Sequence, residues 1–225
     1  MSLARQMVDR VNSSGGTYHR LDLGPDLVIE GDYDMARYLK HYHLPESMTG
    51  MTVLDVGTAS GYFALECHRR GAKVTAIDIW DEDCLLAEVS QNLGLDIRYV
   101  KQDLYGVDES FGQFDLVVCG SLLLHLPDPV GAARALRSVT GDRLILATTS
   151  TPDSQTATEP ICHFYGTPAS DGDYSSYWTF SALALERLFL AAGYSRVENV
   201  EHFDLDTEPG RPQYSSAHVA FSAYV

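Results

Sequence analysis

Residues 51–80 read MTVLDVGTASGYFALECHRRGAKVTAIDIW, and this stretch decides the fold. The run Thr52–Val56 is short, apolar and β-branched, as a strand buried on both faces of a parallel sheet should be. Gly57 and Gly61 bracket a turn, and the residues after the turn have the apolar spacing of a helix. A second strand then ends at Asp78. The stretch therefore predicts a strand, a glycine turn, a helix and a second strand that ends in an acid.

This arrangement is typical of a nucleoside-binding site. In such folds an acid about twenty residues past the turn accepts hydrogen bonds from both ribose hydroxyls, and Asp78 fits that role. The turn itself reads Asp55-Val56-Gly57-Thr58-Ala59-Ser60-Gly61, with an acid two residues before its first glycine. A carboxylate there would repel a pyrophosphate and attract an ammonium group. The turn favours a nucleoside ligand with a cationic amine over a dinucleotide.

The turn resembles the first motif of the class I S-adenosylmethionine-dependent methyltransferases, Val/Leu-Asp-x-Gly-x-Gly-x-Gly, whose cofactor carries a cationic amine and a sulfonium. Ala59 stands where that motif has its middle glycine. A methyl group is the smallest replacement, so the backbone can still approach the cofactor. Two later segments follow in the family's order: Ile97–Leu104 as the third strand and a loop acid, and Phe114–Pro129 as the fourth strand and the active-site loop.

The resemblance implies S-adenosyl-L-methionine as the cofactor, S-adenosyl-L-homocysteine as the product, and a set of cofactor-binding residues near the carboxyl ends of the first four strands. These are Asp55, Gly57, Thr58, Ala59, Gly61, Asp78, Ile79, Asp103, Leu104, Gly120 and Ser121. Asp103 is the loop acid expected to meet the adenine amino group. Taken singly, each acid could be an ordinary strand-end residue. A dinucleotide-binding domain without catalytic activity is the competing interpretation, and the order of the later motifs argues against it.

The resemblance also implies a Rossmann-like α/β fold: a seven-stranded, mostly parallel sheet in the order 3-2-1-4-5-7-6, with helices on both faces. Arg143–Thr149 has the pattern of the fifth strand, Ser181–Gly193 that of a capped helix, and Tyr194–Leu205 with Ser216–Val225 that of a closing antiparallel pair. At 225 residues the chain is most simply one domain. We divide it into an N-terminal cap segment (1–48), a cofactor-binding core (49–150), a substrate lid loop (151–179) and a C-terminal helix with two strands (180–225).

Charge bears on the partner. The formal net charge is −15, with 31 acidic and 16 basic side chains. Affinity for nucleic acid comes largely from Lys and Arg that neutralise phosphates. Because the basic residues are few and scattered, the composition argues against nucleic acid and favours a small, neutral or cationic acceptor. The N-terminal residues have no apolar signal core, and no stretch approaches the ~18 apolar residues of a membrane span. We therefore expect a cytoplasmic protein without a membrane partner, and the oligomeric state stays open.

A metal site is not expected. The four cysteines have no Cys-x-x-Cys spacing, and three of them lie in predicted helix or strand, which is typical of small buried hydrophobic residues. His41 and His43 are the only closely spaced histidines. As alternate residues at a helix end they would point to different faces, which argues against shared metal binding.

Two regions lie outside the predicted sheet, and we expect them to select the substrate: Thr17–Glu46 and Thr151–Thr179. Ordered loops as long as the second are usually lids or binding loops. The candidate substrate-binding residues are Tyr18, Tyr33, His163, Tyr177 and Trp178. Their aromatic faces with polar ends suit a small ring or a sugar. The alternative is that these aromatic side chains only fill the space between loop and sheet.

The proton of an acceptor hydroxyl would need a base, and histidine suits pH 7. The two candidate catalytic residues are His125, at the end of the fourth strand, and His19, in the covering N-terminal segment. His125 could equally be a packing residue. An amine acceptor would require no base.

The flanking segments are similar to the wobble-uridine tRNA methyltransferases that use carboxy-S-adenosylmethionine. The segment 18–24, Tyr-His-Arg-Leu-Asp-Leu-Gly, carries this likeness. However, Tyr174–Phe180 contains no basic residue where those enzymes supply an arginine for the extra carboxylate. Ordinary S-adenosylmethionine and in-line methyl transfer to the oxygen of a natural-product acceptor are therefore expected. A tRNA methyltransferase and a noncatalytic cofactor-binding protein remain the alternatives.

Overall fold

A seven-stranded sheet forms the centre of the chain. The structure is a computed structural model that describes residues 2–81, 84–166 and 176–225. The strands are β1 (Thr52–Val56), β2 (Lys73–Asp78), β3 (Ile97–Lys101), β4 (Phe114–Gly120), β5 (Thr140–Thr149), β6 (Arg196–Asp206) and β7 (Ser215–Tyr224). Their order is β3-β2-β1-β4-β5-β7-β6, and β7 runs antiparallel to both of its neighbours. The predicted fold and strand order are confirmed.

Within the residues that the structure describes, five α-helices cover the two faces of the sheet. They are α1 (Leu3–Ser13), α2 (Tyr62–Arg69), α3 (Leu85–Leu93), α4 (Pro129–Val139) and α5 (Ala182–Ala191). One apolar core lies between the sheet and α1 to α3, and a second lies between the sheet and α4 with α5. Neighbouring residues of β1 serve different cores, Val53 the first and Leu54 the second, because side chains alternate along a strand.

The sequence analysis did not predict helix α1. Its buried residues are Ala4, Met7, Val8 and Val11. These positions follow the i, i+3, i+4, i+7 spacing of an amphipathic helix, so the signal was present in the sequence. Ser2 caps the helix by accepting a hydrogen bond from the Arg5 backbone N–H.

The N-terminal segment forms short elements over the carboxyl end of the sheet. Its strands are Thr17–His19, Leu21–Asp22, Val28–Ile29 and Gly31–Tyr33, and its 3₁₀ helices are Met35–Arg37 and Leu39–His41. Further 3₁₀ helices span Leu104–Gly106, Glu109–Phe111 and Leu123–His125. The strands Thr17–His19 and Gly31–Tyr33 pair in parallel. This pairing carries His19 toward the sheet.

The predicted lid is partly regular structure. Cys162–Phe164 pairs antiparallel with Trp178–Phe180, and Phe180 forms a bridge with Ser150. Residues 167–175, which include Tyr174, lie outside the described part of the chain. The expectation of a segment without secondary structure was wrong at both strands, because three residues are too few to reveal a period of two.

His41 and His43 do not point apart as expected. Nδ1 of His41 lies 3.4 Å from Glu201 Oε2, and Nε2 of His43 lies 3.2 Å from Glu201 Oε1. The reason is the backbone: the segment is a 3₁₀ turn, and His43 has a left-handed φ of 47°. Among the described residues, no group of three His, Cys, Asp or Glu side chains is arranged to hold a metal ion. A search of the same residues finds no helix with the length and apolarity of a membrane span.

Gly31 sits where two backbones approach closely. A Cβ atom at this position would lie 2.1 Å from the Arg20 backbone nitrogen and 2.3 Å from the His19 carbonyl carbon. Backbone atoms cannot move aside as a flexible side chain can. Glycine is therefore required for the Thr17–His19 strand to lie where it does.

We predict that Gly31→Ala lowers the free energy of unfolding by an amount near the upper end of the ~1–3 kcal/mol that overpacking costs. The control is Gly50→Ala, since a Cβ at Gly50 meets no atom within 4 Å and costs only the strain of a φ of 84°, about 1 kcal/mol. Chemical denaturation measures both free energies of unfolding. Equal losses in the two variants would contradict the close approach.

Candidate cofactor and acceptor site

A cavity of about 870 Å³ opens at the carboxyl ends of β1 to β4. This is where open α/β sheets bind their ligands, and the volume is at the upper end of ordinary ligand sites. We call it the main cavity. Its lining includes many of the predicted site residues, namely Tyr18, His19, Gly57, Ala59, Asp78, Ile79, Asp103, Leu104, Gly120, Ser121, His125 and Tyr177. Residues from the N-terminal segment, the core and the predicted lid thus meet in one place.

Asp55 does not line the main cavity, contrary to its predicted role as a direct cofactor ligand. It is 1 % exposed, and its Oδ2 accepts hydrogen bonds from the Thr58 hydroxyl (2.6 Å) and the Ala64 backbone N–H (3.0 Å). Thr58 is equally buried, and Gly61 packs against Leu86. These residues hold the turn against helix α2 on the side of the turn that faces away from the main cavity. Their place is explained by the tightness of the turn, which directs every third residue, Asp55, Thr58 and Gly61, away from the main cavity.

Three of the predicted substrate-binding residues also lie outside the lining. His163 is exposed on the Cys162–Phe164 strand, so its assignment to the substrate site was wrong. Tyr33 is buried with its ring centroid 5.0 Å from that of Tyr18. The indole N–H of Trp178 donates to the Pro127 carbonyl at 3.3 Å. Tyr33 and Trp178 therefore pack behind lining residues.

Asp78 connects the second strand to the glycine turn. Its Oδ2 accepts the Ala59 backbone N–H at 2.8 Å, and its Oδ1 accepts the Ile79 backbone N–H at 2.7 Å. Partial burial raises the pKa of this carboxyl above its ordinary value. A carboxylate has about four acceptor sites, so Asp78 keeps capacity for a ribose hydroxyl beyond the backbone N–H groups of Ala59, Ile79 and Trp80. The arrangement fits the ribose of the cofactor.

Two non-glycine residues of the lining have left-handed backbones. Ala59 has a φ of 47° and Ser121 a φ of 53°. Such conformations cost about 1–3 kcal/mol and concentrate at ligand sites. The methyltransferase motif prefers glycine at the position of Ala59 for this conformational reason, in addition to the small size that the sequence analysis considered.

His19 is the most buried polar side chain of the lining that lacks a partner. It is 6 % exposed, and its Nδ1 has no hydrogen-bond partner among the residues that the structure describes. Burial lowers the pKa of this imidazole to about 3. His19 is therefore neutral at pH 7. It is suited to orienting a ligand by a hydrogen bond, and it is a weak base.

His125 ends the 3₁₀ helix Leu123–His125 and contributes to the same wall. The lid segment docks on this helix, because the Tyr177 backbone N–H donates to the Leu124 carbonyl at 2.8 Å. Tyr177 in turn accepts a hydrogen bond at its carbonyl from Tyr165. The loop after β4 and the lid thus form one surface beside His125.

Sequence reasoning missed several lining residues, among them Ser60, Trp80, Gln102 and Tyr105. Ser60 joins the glycine turn to the N-terminal segment, since its hydroxyl lies 2.8 Å from Thr17 Oγ1 and accepts the His19 N–H at 3.1 Å. The other three follow the ends of β2 and β3 within four residues. Position after a strand end was the signal that could have found them.

The comparisons with known proteins identify the family of the chain. Residues 30–199 match the family described as methyltransferase domain. Because the match covers more than half of the chain, the protein belongs to that family. Its fold is that of the class I S-adenosylmethionine-dependent methyltransferases, and S-adenosylmethionine is the cofactor of this site.

Curated relatives share part of the chain. The sequence is 34% identical over 106 residues to the ubiquinone biosynthesis O-methyltransferase of Pseudomonas paraeruginosa, covering 45% of each chain. It is 38% identical over 103 residues to the enzyme of that name from Xanthomonas axonopodis pv. citri, covering 44% of this chain and 43% of the relative. The chain thus matches less than half the length of these curated relatives.

Solved structures match over more of the chain. The N-terminal domain of EvdMO1, crystallised in the presence of S-adenosylhomocysteine and D-fucose, superimposes with a TM-score of 0.66 at 15% identity, covering 100% of this chain and 98% of that one. The 1,6-didemethyltoxoflavin-N1-methyltransferase of Burkholderia thailandensis gives 0.61 at 19%, covering 99% and 86%. At these identities the likeness establishes the fold. None of these relatives supports the wobble-uridine tRNA branch.

We predict that ionisation of Asp55 makes the protein less stable as the pH rises. Burial raises the folded-state pKa of this carboxyl from 3.8 to about 7. Between these values the folded state binds more protons than the unfolded state, so stability falls with increasing pH. Asp55→Asn should remove most of that slope. Free energies of unfolding at pH 4.5 to 7.5 test this, and parallel profiles for the two proteins would contradict it.

We predict that Asp78→Ala weakens S-adenosylmethionine binding at least tenfold, because each lost charge-assisted hydrogen bond costs about 1.5–3 kcal/mol. The control is Asp96→Ala, an exposed acid between α3 and β3. Isothermal titration calorimetry measures both affinities. Unchanged binding in the Asp78 variant would refute this cofactor site.

Proposed function

We propose that this protein transfers a methyl group from S-adenosylmethionine to an oxygen of a small, natural-product acceptor. The observation that carries the proposal is the main cavity itself. Its lining contains both Asp78 of the predicted cofactor site and the candidate acceptor residues His19, His125 and Tyr177. Its volume of about 870 Å³ is large enough for a cofactor together with a small second ligand. The names of the curated relatives, which are O-methyltransferases, support the choice of oxygen.

The chemistry asks mainly for alignment. The bound cofactor supplies a methyl group on a positively charged sulfur. The protein then has to hold the acceptor oxygen in line at ~3–3.5 Å, which contributes much of the rate. In this scheme Asp78 would bind the ribose, and Ile79 and Leu104, which line the same cavity, would contact the adenine. The N-terminal segment and Tyr177 cover the acceptor and exclude water.

The two histidines have different roles in this proposal. His19 is neutral at pH 7 because burial lowers its pKa to about 3. It orients the acceptor through a hydrogen bond and holds a proton poorly. His125, which lines the same cavity, is the candidate for accepting the proton of a hydroxyl directly.

The walls favour a hydroxylated ring as the acceptor. Tyr18, Tyr105 and Tyr177 belong to the lining of the main cavity. The chain carries a net charge of −15, which disfavours a polyanion such as tRNA. A neutral or cationic ring with at least one hydroxyl group fits both features.

A panel of acceptors tests the proposed function. Catechols, simple phenols, hexoses and unmodified tRNA are each incubated with S-adenosylmethionine, and release of S-adenosylhomocysteine is measured by mass spectrometry. We expect methylation of a hydroxylated small molecule and none of tRNA. Methylation of tRNA alone, or cofactor binding without turnover of any acceptor, would overturn the proposal.

We predict that Tyr177→Ala and His19→Ala each lower kcat/KM for that acceptor at least tenfold. S-adenosylmethionine affinity should change only a few-fold, because both side chains act on the acceptor. Tyr214→Ala is the control, since Tyr214 is 59 % exposed and does not line the main cavity. A loss of cofactor affinity as large as the loss of kcat/KM would count against an acceptor role.

A further inference from the structure

A serine and a histidine are joined at the edge of the main cavity. Ser121 lines the cavity just after β4, and its Oγ lies 3.1 Å from Nε2 of His218 on β7. His218 is 3 % exposed and does not itself line the cavity. The serine hydroxyl is thus the only member of the pair that a ligand in the cavity could touch.

The hydrogen bonds of His218 determine which residue donates in the Ser121–His218 hydrogen bond. His218 Nδ1 lies 2.9 Å from the Ser216 carbonyl oxygen, which can only accept. Nδ1 therefore carries the proton, and Nε2 of the neutral ring has a lone pair. The Ser121 hydroxyl must donate to that lone pair. Its own lone pairs are then free to accept a proton from a ligand.

Both residues are held in place. Ser121 keeps its left-handed φ of 53° while its N–H donates to the Ala147 carbonyl at 2.8 Å. His218 lies opposite Thr149 in the β5–β7 register, and its ring stacks on Phe203 with centroids 5.5 Å apart. Strain retained by surrounding structure is typical of functional positions.

The surroundings of His218 contain few charges. Burial lowers the pKa of His218, and the Asp204 carboxylate on β6 acts in the opposite direction. The His41 ring also stacks on Phe203, with centroids 4.6 Å apart, so the Phe203 ring contacts both imidazole rings. Thr149, Ser121 and Ser216 are the neutral polar neighbours from β5, β4 and β7. His218 is neutral at pH 7. Once His218 is protonated, the Asp204 carboxylate is the anion near it.

We propose that Ser121 and His218 form a proton relay that takes the proton of the acceptor hydroxyl. This inference rests on the proposed function. The acceptor O–H bond breaks as Ser121 Oγ takes the proton, and the serine's own proton passes to His218 Nε2. The oxygen's electron pair forms the new bond to the methyl carbon, and the carbon–sulfur electron pair stays on sulfur. The positive charge lost by sulfur appears on the imidazolium, which later releases its proton to water.

A phosphorylating reagent tests the pair without cofactor or acceptor. Diisopropyl fluorophosphate forms an Oγ–P bond with a serine whose proton a neutral imidazole accepts, and fluoride leaves as the P–F bond breaks. We expect modification of Ser121, located by mass spectrometry, with a rate that falls only at a pH below the ordinary histidine range, because burial lowers the pKa of His218. Absence of modification in protein that still binds S-adenosylhomocysteine would overturn the relay.

Matched variants distinguish a proton relay from a hydrogen bond that only stabilises the structure. His218→Gln keeps an amide near the position of Nε2 but cannot take up the proton, so labelling should slow at least tenfold. His218→Asn serves as a second variant if the first unfolds. Ser222→Ala is the control, because Ser222 is buried on the same strand and its Oγ has no partner among the described residues. Labelling of His218→Gln at the wild-type rate would overturn the relay.

Turnover of catechol then distinguishes this relay from direct transfer to His125. Ser121→Ala and His218→Gln should lower kcat at least tenfold with KM nearly unchanged, and they should remove the acidic limb of the pH–rate profile. If only His125→Gln removes that limb, the relay is wrong and the proposed function stands. If catechol and the rest of the panel are inert while Ser121 is labelled, the proposed function fails and the proton-accepting pair stands.

Discussion

The buried carboxylate of Asp55 is the interaction on which the site depends. By accepting the Thr58 hydroxyl and the Ala64 backbone N–H, it draws the glycine turn and the start of α2 together. The turn can then present its backbone to the main cavity, and the Ala59 N–H reaches Asp78. The cost is a desolvated acid, which is why its pKa rises to about 7. The two hydrogen bonds that Asp55 accepts offset this cost and hold the glycine turn in place.

The acceptor end of the cavity is assembled differently. It joins elements far apart in sequence through a few hydrogen bonds. Ser60 contacts both Thr17 and His19, while Tyr177 docks on Leu124. The β5–β7 register brings His218 to Ser121 across 97 residues of chain. The cofactor end therefore depends on one local motif, and the acceptor end depends on tertiary packing.

Backbone strain and desolvation both occur at this cavity. Ala59 and Ser121 have left-handed backbones, and His19, Asp55 and His218 all have pKa values displaced by burial. Each feature costs stability by itself. Their clustering at the carboxyl ends of four strands is typical of a site selected for binding and chemistry.

The sequence by itself determined the strands of the sheet and the contiguous motif at the cofactor end, and the strand order came from the family resemblance. Thr52–Val56, the glycine turn and Asp78 are contiguous, so local patterns with fixed spacing were enough to recognise them. The direction of individual side chains could not be read in this way. Asp55 points away from the main cavity because of the tight turn that follows it. His163 is exposed because it lies on a strand of three residues, too short to show from the sequence which face each residue takes. Only the tertiary structure brought His218 to Ser121, since that contact depends on strand register between segments that carry no common sequence signal.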